Sequence, residues 1–413
     1  MNERNIFFNP ITGEIRFDYD YESNFDIPKA INWQSDASIN DKVYGFKNLT
    51  LNLTMDCNLQ CKYCWQNHGY GHDMTRPVID KWLDFFLNND LNSPNKILYF
   101  GGEPFLRLDL VKHAAERVAK ICRERDMQKP QQQIFTNATL LTDEALEIIK
   151  KEGIFLILSI DGDDDINSRY RVDNQGRSVQ EQINLGVQNL KRFNIPFGVC
   201  CTLSEIVFNV DKTIKYIIDE IQPLSLEFNV RYDKAFMNKH GNPQEIDFSS
   251  FFRAWDLIRH STVANINFKK RILPLALKKP LKNSSSGSKN KLSVMPNGNV
   301  SPFNSAVQFP DLQIKPVGNW IIEFRKQWDR DILYNKKCQN CKAAFICGQG
   351  SAFSSFLEYG DFNHTPFLHC EYCSALLTYV LQTIKTELKE TVPQGYVVSK
   401  RDIIRIFNIG MLL

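Results

Sequence analysis

Three cysteines, Cys57, Cys61 and Cys64, stand close together in the stretch MDCNLQCKYCW, and the next cysteine is Cys122. Thiolates are soft metal ligands, and a closed structural site takes four donors. Two centres compete. A zinc knuckle would join Cys61 and Cys64 to His68 and His72, but it leaves out Cys57, and Gly69 and Gly71 give the histidines no shared helical face. A [4Fe–4S] cluster held by three thiolates leaves one iron without a protein ligand. That is a defect in an electron carrier, where four cysteines are usual. It is an advantage in catalysis, where an open metal position takes a substrate or cofactor.

Other chemistry-bearing residues follow in order. YFGGEPFL holds Gly101, Gly102, Glu103 and Pro104. Two glycines permit close approach to the backbone, and carbonyls with the Glu103 carboxylate suit a cationic amine. FTNATLL (135–141) offers Asn137, and LSIDG (158–162) offers Ser159 and Asp161. Two positions apart, these last two would face one side of a strand. Arg171 or Arg177 could pair with a carboxylate. A second cysteine group comes late: Cys338-x2-Cys341-x5-Cys347, then Cys370 and Cys373. Cys338/Cys341 with Cys370/Cys373 would make a zinc ribbon, which leaves Cys347 unused. Cys122, Cys200 and Cys201 lie in apolar segments and read as buried small hydrophobes.

The elements that carry these residues form a regular series. NLTLNLTM (48–55), KILYFGG (96–102), QQIFTNA (132–138), FLILSIDG (155–162), FGVCCTL (197–203) and SLEFNVRYD (225–233) read as strands. Helical patterns lie between them, as in 107–125 and 179–194. Six strands, each followed by a helix, predict a parallel sheet with helical crossovers. A full eight-unit barrel needs about 250 residues, so the α/β architecture expected is an open, partial (β/α)6 barrel. The cysteine triplet follows the first strand, and Gly101–Pro104, Asn137 and Ser159/Asp161 close the next three. Such barrels place their chemistry at these strand ends.

The organisation expected is an N-terminal extension (1–45), the barrel (46–281), a linker (282–290), a C-terminal region (291–391) and a tail (392–413). IFFNPITGEIRFDYD predicts a hairpin around Thr12-Gly13 that covers the barrel mouth or grips a substrate. KLSVMPNGNVSPFN (291–304) predicts a hairpin turning at Asn297-Gly298. The late cysteines read as loop, followed by a long helix over 373–390. The basic residues from Lys269 to Lys291 read as a solvated connector, or as a docking strip for an acidic peptide.

Bulk properties exclude some classes. The chain is 43% hydrophobic and 23% charged, which suits a globular protein with a sizeable core. A net charge of +3 gives no case for nucleic acid. No apolar run is long enough to span a membrane, and the N-terminus lacks a signal-peptide pattern. The expected location is cytoplasmic, where clustered cysteines read as metal ligands and not disulfides.

With these residues in view, Cys57-x3-Cys61-x2-Cys64 resembles the signature of the radical S-adenosylmethionine (radical SAM) enzymes. The resemblance extends over about residues 48–390 and implies a [4Fe–4S] cluster on the triplet, its open iron chelated by the methionine end of SAM. One electron then cleaves SAM to a 5′-deoxyadenosyl radical that takes a hydrogen atom from substrate. Tyr63 occupies the family's aromatic position near the adenine. Gly101–Pro104 match the GGEP motif that holds the SAM ammonium. Asn137 lies in a TNGT-like segment with Ala138 in place of glycine. Ser159, Asp161 and Arg171 match the ribose and carboxylate contacts.

The late cysteines resemble the SPASM extension, which carries two auxiliary [4Fe–4S] clusters. No cysteine occurs in the stretch before Gly298, after Cys201; Phe303 and Ser351 stand where two others would be. The three missing ligands belong mainly to the first auxiliary cluster. One auxiliary cluster is therefore expected, held by Cys338, Cys341, Cys347 and either Cys370 or Cys373. The family implies a precursor-peptide substrate that is crosslinked or epimerised, and an electron donor such as flavodoxin or ferredoxin. Formylglycine formation in a sulfatase is the enzymatic alternative, and a zinc-binding interaction module the non-enzymatic one. Neither the catalytic acid or base nor the modified residue can be read from the chain.

Overall fold

The computed structural model describes residues 5–10, 12–18, 45–64, 72–89, 94–203, 210–230, 248–281, 290–327, 338 and 341–409. The linker 282–290, save Asn290, and His68 lie outside them. An N-terminal hairpin pairs β1 (Asn5–Phe8) with β2 (Ile15–Asp18) across the expected turn. The main sheet is built on β3 (Asn48–Thr54), β4 (Lys96–Gly101), β5 (Gln131–Thr136), β6 (Ile154–Ser159), β7 (Phe197–Leu203) and β8 (Ser225–Val230). These six pair in parallel in chain order, and β9 (Ala264–Asn265) extends the far edge.

The crossovers are helical. They are α1 (Arg76–Asn88), α2 (Leu108–Glu124), α3 (Asp143–Glu152), α4 (Asp164–Tyr170), α5 (Gln180–Phe193), α6 (Val210–Tyr216), α7 (Ser249–Arg259) and α8 (Ile266–Leu277). Along β6 the alternation is strict: Ile154, Leu156 and Leu158 are buried, while Phe155, Ile157 and Ser159 are half-buried. The first set packs on helices and the second faces the inside of an open barrel. Trp82, Leu83 and Phe86 of α1 are buried in the same core.

The hairpin of β10 (Lys291–Val294) and β11 (Val300–Ser301) turns at Asn297-Gly298, with Gly298 at φ 83°. This hairpin joins the main sheet. β10 pairs in parallel with β3, Lys291 opposite Asn48 and Ser293 opposite Thr50. An open barrel leaves the outer edge of β3 with unpaired amides and carbonyls, and the hairpin satisfies them.

Beyond it come α9 (Trp320–Gln327), α10 (Ala344–Cys347), α11 (Ala352–Tyr359), α12 (Phe367–Leu388) and α13 (Lys400–Ile406). The long helix begins six residues earlier than expected, so Cys370 and Cys373 are helical and not in a loop. Pro366 occupies its N-cap, and a proline there gives up no helical hydrogen bond. The two chain ends also meet: Phe17 and Val398 donate to the carbonyls of Tyr396 and Ile15. The N-terminal hairpin thus packs on the C-terminal region, with the Phe8 and Phe345 rings 6.2 Å apart. Among the described residues no helix is long and apolar enough to cross a membrane.

Candidate functional site

The cysteine loop leaves the end of β3 and is fastened on two sides. Gln60 and Lys62 donate their amides to the carbonyls of Val172 (2.7 Å) and Tyr170 (2.9 Å). From the other side, Gly102 donates to the Thr54 carbonyl at 2.9 Å and Glu103 to the Asp56 carbonyl at 2.8 Å. A β-carbon on Gly102 would lie 2.1 Å from the Asp56 oxygen, and one on Gly101, at φ 135°, 2.1 Å from the Thr54 oxygen. The close approach that these glycines permit is therefore to the cysteine loop's own backbone. Gly102→Ala should push that loop away from β4, and iron loading on anaerobic reconstitution should fall several-fold against wild type.

Glu103 is fully buried, with Pro104 buried beside it. Its carboxylate accepts from Asn137 N (2.7 Å), Thr136 Oγ1 (2.9 Å) and Phe105 N (3.1 Å). The carboxylate thus ties the end of β4 to the end of β5, where sequence reasoning expected it to face an amine. Burial outweighs these hydrogen bonds and pushes the carboxyl up to about 7. The folded apoprotein then holds this proton more tightly than the unfolded chain. The stability it contributes is present at acid pH and is lost as pH rises through about 7. Urea midpoints of the apoprotein at pH 5 and pH 8 should show this difference, and Glu103→Gln should shrink it.

Asn137 reaches the loop directly. Its Nδ2 donates to Asn58 Oδ1 at 2.9 Å and lies 4.0 Å from the Cys57 sulfur. Ala138, fully buried, adopts φ 67°, the left-handed conformation that glycine takes at no cost. Its carbonyl sits where a β-carbon on Gly186 would be, 2.1 Å away.

On the opposite flank, Asp161 is a buried hub. Arg171 Nε lies 2.8 Å from its Oδ2, and Nη2 is 3.2 Å from Oδ1. Thr202 N donates to Oδ1 at 2.8 Å, and the Tyr63 hydroxyl donates to Oδ2. The Arg171 guanidinium also lies 5.5 Å from the Tyr63 ring centroid and 3.9 Å from the Cys61 sulfur. Burial alone would lower the Arg171 pKa, but Asp161, Tyr63 and Cys61 together outweigh that and keep the cation. Burial pushes the Tyr63 phenol well up, so the ring stays neutral.

Arg177, by contrast, pairs with Asp173 on the surface at 2.7 Å. Ser159 ends β6 opposite Cys200, whereas Asp161 lies in the turn beyond, so strand alternation does not relate them. Among the described residues no hydrogen bond joins the Ser159 side chain to the Asp161 hub. Thr136, Thr202 and Asn58 belong to the site but were missed. Two act through strand ends and one through a loop amide, and no motif marks them.

The triplet fits a three-thiolate cluster. Burial, aided by Glu103, Cys61 and Cys64 and opposed by the Leu59 amide, pushes the Cys57 thiol up to about 12. Burial raises Cys61 as well, opposed by Arg171. Cys57 and Cys61 so placed ionise together only beside a strong positive charge, which a metal supplies. Of the zinc alternative, His72 uses its carbonyl to accept from Met55 N at 3.3 Å.

Residues 51–216 match the family model described as the radical SAM superfamily. The chain carries a radical SAM domain. The superfamily's cofactors, SAM and a [4Fe–4S] cluster, are those the triplet implies. It is 26% identical over 168 residues to a serine-type anaerobic sulfatase-maturating enzyme of Bacteroides thetaiotaomicron, covering 39% of each chain. It is 27% identical over 212 residues to a radical SAM cyclopropyl synthase, TigE, of Paramaledivibacter caminithermalis, covering 46% of this chain and 43% of that one. The matches thus span less than half the length of these two relatives. Native anSMEcpe with bound AdoMet superposes with a TM-score of 0.68 at 20% identity, over 83% of this chain and 99% of that one. Streptococcus suis SuiB bound to S-adenosylmethionine gives 0.54 at 15%, over 79% and 77%. At these identities the likeness is one of fold, a partial barrel with a cysteine-bearing C-terminal region.

In that region the residues that replace two expected ligands of a first auxiliary cluster have structural work. Phe303 is buried and stacks on Phe362 at 5.7 Å, with Phe353 at 5.9 Å. Ser351 caps α11, its Oγ accepting from Ser354 N at 3.2 Å. The remaining cysteines are compatible with one auxiliary cluster. Cys338 lies 3.7 Å from Thr365 Oγ1 and Cys341 is exposed, while Cys347 and Cys373 are buried together. The Cys347 thiol is raised by its hydrogen bond with Cys373 and then by burial.

Proposed function

We propose that this radical SAM protein is a peptide-modifying enzyme that crosslinks or epimerises a residue of a ribosomally made precursor peptide. The reading rests on one observation above others: three clustered thiols at the mouth of an open barrel, held by Gly102 and Glu103 on one side and by the 170–172 segment on the other. The bound cluster supplies the electron that cleaves SAM, giving the 5′-deoxyadenosyl radical that takes hydrogen from the substrate. The chain's own residues do the placing. Tyr63, Asp161 and Arg171 form a rigid wall beside the cysteine loop. Asn137 lies against Cys57. Phe100 and Phe135, 5.6 Å apart and half-buried inside the barrel, give an apolar floor that limits quenching of a radical by water.

A peptide substrate is supported by solved neighbours of this fold, anSMEcpe with a Cp18Cys peptide and SuiB with precursor peptide SuiA. Auxiliary ligation belongs to Cys338, Cys341, Cys347 and one of Cys370 and Cys373, and the reducing electron to a flavodoxin or ferredoxin. A second reading, formylglycine formation, is favoured by the sulfatase-maturating relative. The packing of Phe303 and Ser351 weighs against it, because that reaction uses both auxiliary clusters in the family.

Co-expression with short open reading frames neighbouring the gene, followed by mass analysis, tests the reading. Loss of two hydrogens without aldehyde reactivity gives a crosslink. Unchanged mass with deuterium uptake from heavy water gives an epimer. A product trapped by hydroxylamine would favour formylglycine, and unmodified peptides throughout would contradict the proposal.

A further inference from the structure

Three possible metal donors converge in the C-terminal region. Cys347 Sγ, a ring nitrogen of His369 and Cys373 Sγ lie within 4.8 Å of one another, and all three residues are buried. His369 and Cys373 are one helical turn apart on α12, so they share a face. Cys347 ends α10 and is brought to them by a backbone reversal in which Gly348, Gln349 and Gly350 all have positive φ, 58°, 60° and 67°. A β-carbon on Gly350 would lie 2.8 Å from the His369 ring, so that glycine makes room for the imidazole. His369 Nε2 is 3.3 Å from the Cys373 sulfur and 3.2 Å from the Cys347 carbonyl. That carbonyl also accepts from the Arg271 guanidinium of α8.

We propose that His369 is a nitrogen ligand, with Cys347 and Cys373, of the auxiliary metal centre in the C-terminal region; this rests on the auxiliary site proposed above, in which His369 takes the place of one of Cys338 and Cys341 and leaves Cys370 outside the donor set. Donors to one ion at 2.0–2.3 Å lie at most about 4.6 Å apart, close to the spread of these three. Cys370 follows His369 by one residue, about 100° round the helix, and adds to the raised Tyr359 phenol on another side. A further position falls to Cys338 or Cys341, on the turn leading into α10. Two sulfurs and one imidazole this close suit a single zinc ion, and an iron–sulfur cluster would need them to move apart onto separate irons. Nitrogen ligation raises the reduction potential of a cluster, as in Rieske centres.

The test uses the full chain with Cys57, Cys61 and Cys64 all changed to Ala, so its outcome is separate from the radical reading. After anaerobic reconstitution, iron with sulfide identifies a cluster and zinc without sulfide a single ion. His369→Ala and Cys373→Ala should each weaken metal retention against a chelator at least tenfold, and Cys370→Ala should leave it unchanged. Nitrogen from labelled histidine should appear in pulsed paramagnetic resonance of a reduced cluster, or imidazole in X-ray absorption of bound zinc. His369→Cys, which keeps a donor, should restore retention if His369→Ala fails to fold. Full retention in His369→Ala, no nitrogen signal, equal loss in Cys370→Ala, or no bound metal would overturn the proposal.

Discussion

Changing any one of Cys57, Cys61 and Cys64 to alanine is expected to abolish formation of 5′-deoxyadenosine from SAM. The positions are held differently: the Cys57 thiol by the Leu59 amide at 3.4 Å and the Asn137 side chain, the Cys61 thiol by Arg171, and Cys64 through its backbone N–H, which donates to the Cys61 carbonyl. None of the three can stand in for another, and two thiolates do not hold a site that needs three. Iron should fall by about four per chain, the content of one cluster. The C-terminal cysteines should keep their metal. A variant that still produced 5′-deoxyadenosine at the wild-type rate would remove that thiol from the site.

The second large effect is expected at Arg171. Its side chain is 7% exposed and that of Asp161 is 1% exposed. Removing one partner of such a pair leaves an uncompensated buried charge, at a cost of about 3–5 kcal/mol. Arg171→Ala should therefore lower stability to urea by that order. It should also weaken cluster loading, because the carbonyls that hold Gln60 and Lys62 flank Arg171 in the chain. Arg171→Met combined with Asp161→Asn should cost less than the sum of the two single changes, since the double variant strands no charge. Additive losses would show that the pair is not coupled.

Much of the barrel was legible because period-two hydrophobicity and β-branched runs are local signals. β7 matched its sequence reading at both ends and β3 to β6 did so within three residues, while β8 begins at Ser225 as read and residues 231–233 lie outside the described residues. The cysteine triplet was legible for the same reason, since ligand type and spacing are printed in the chain. What was not legible depends on distant contacts. The hairpin at 291 joins β3 because an open sheet edge needs partners, and nothing local to KLSV announces that. Glu103 carries a motif, but whether its carboxylate faces a ligand or the amides of Phe105 and Asn137 depends on how β4 and β5 end together. His369 precedes Cys373 by four residues, a helical-face signal. It went unread because the helix was expected to start at Cys373 and in fact starts at Phe367.

The most direct test of the central claim is pulsed paramagnetic resonance of the reduced, reconstituted protein with SAM labelled with nitrogen-15 at the methionine amine. Coupling of that nitrogen to the cluster is predicted, and it should vanish in Cys57→Ala. A cluster that is fully loaded and reduced, yet shows no coupling to the labelled amine at saturating SAM, would contradict the account.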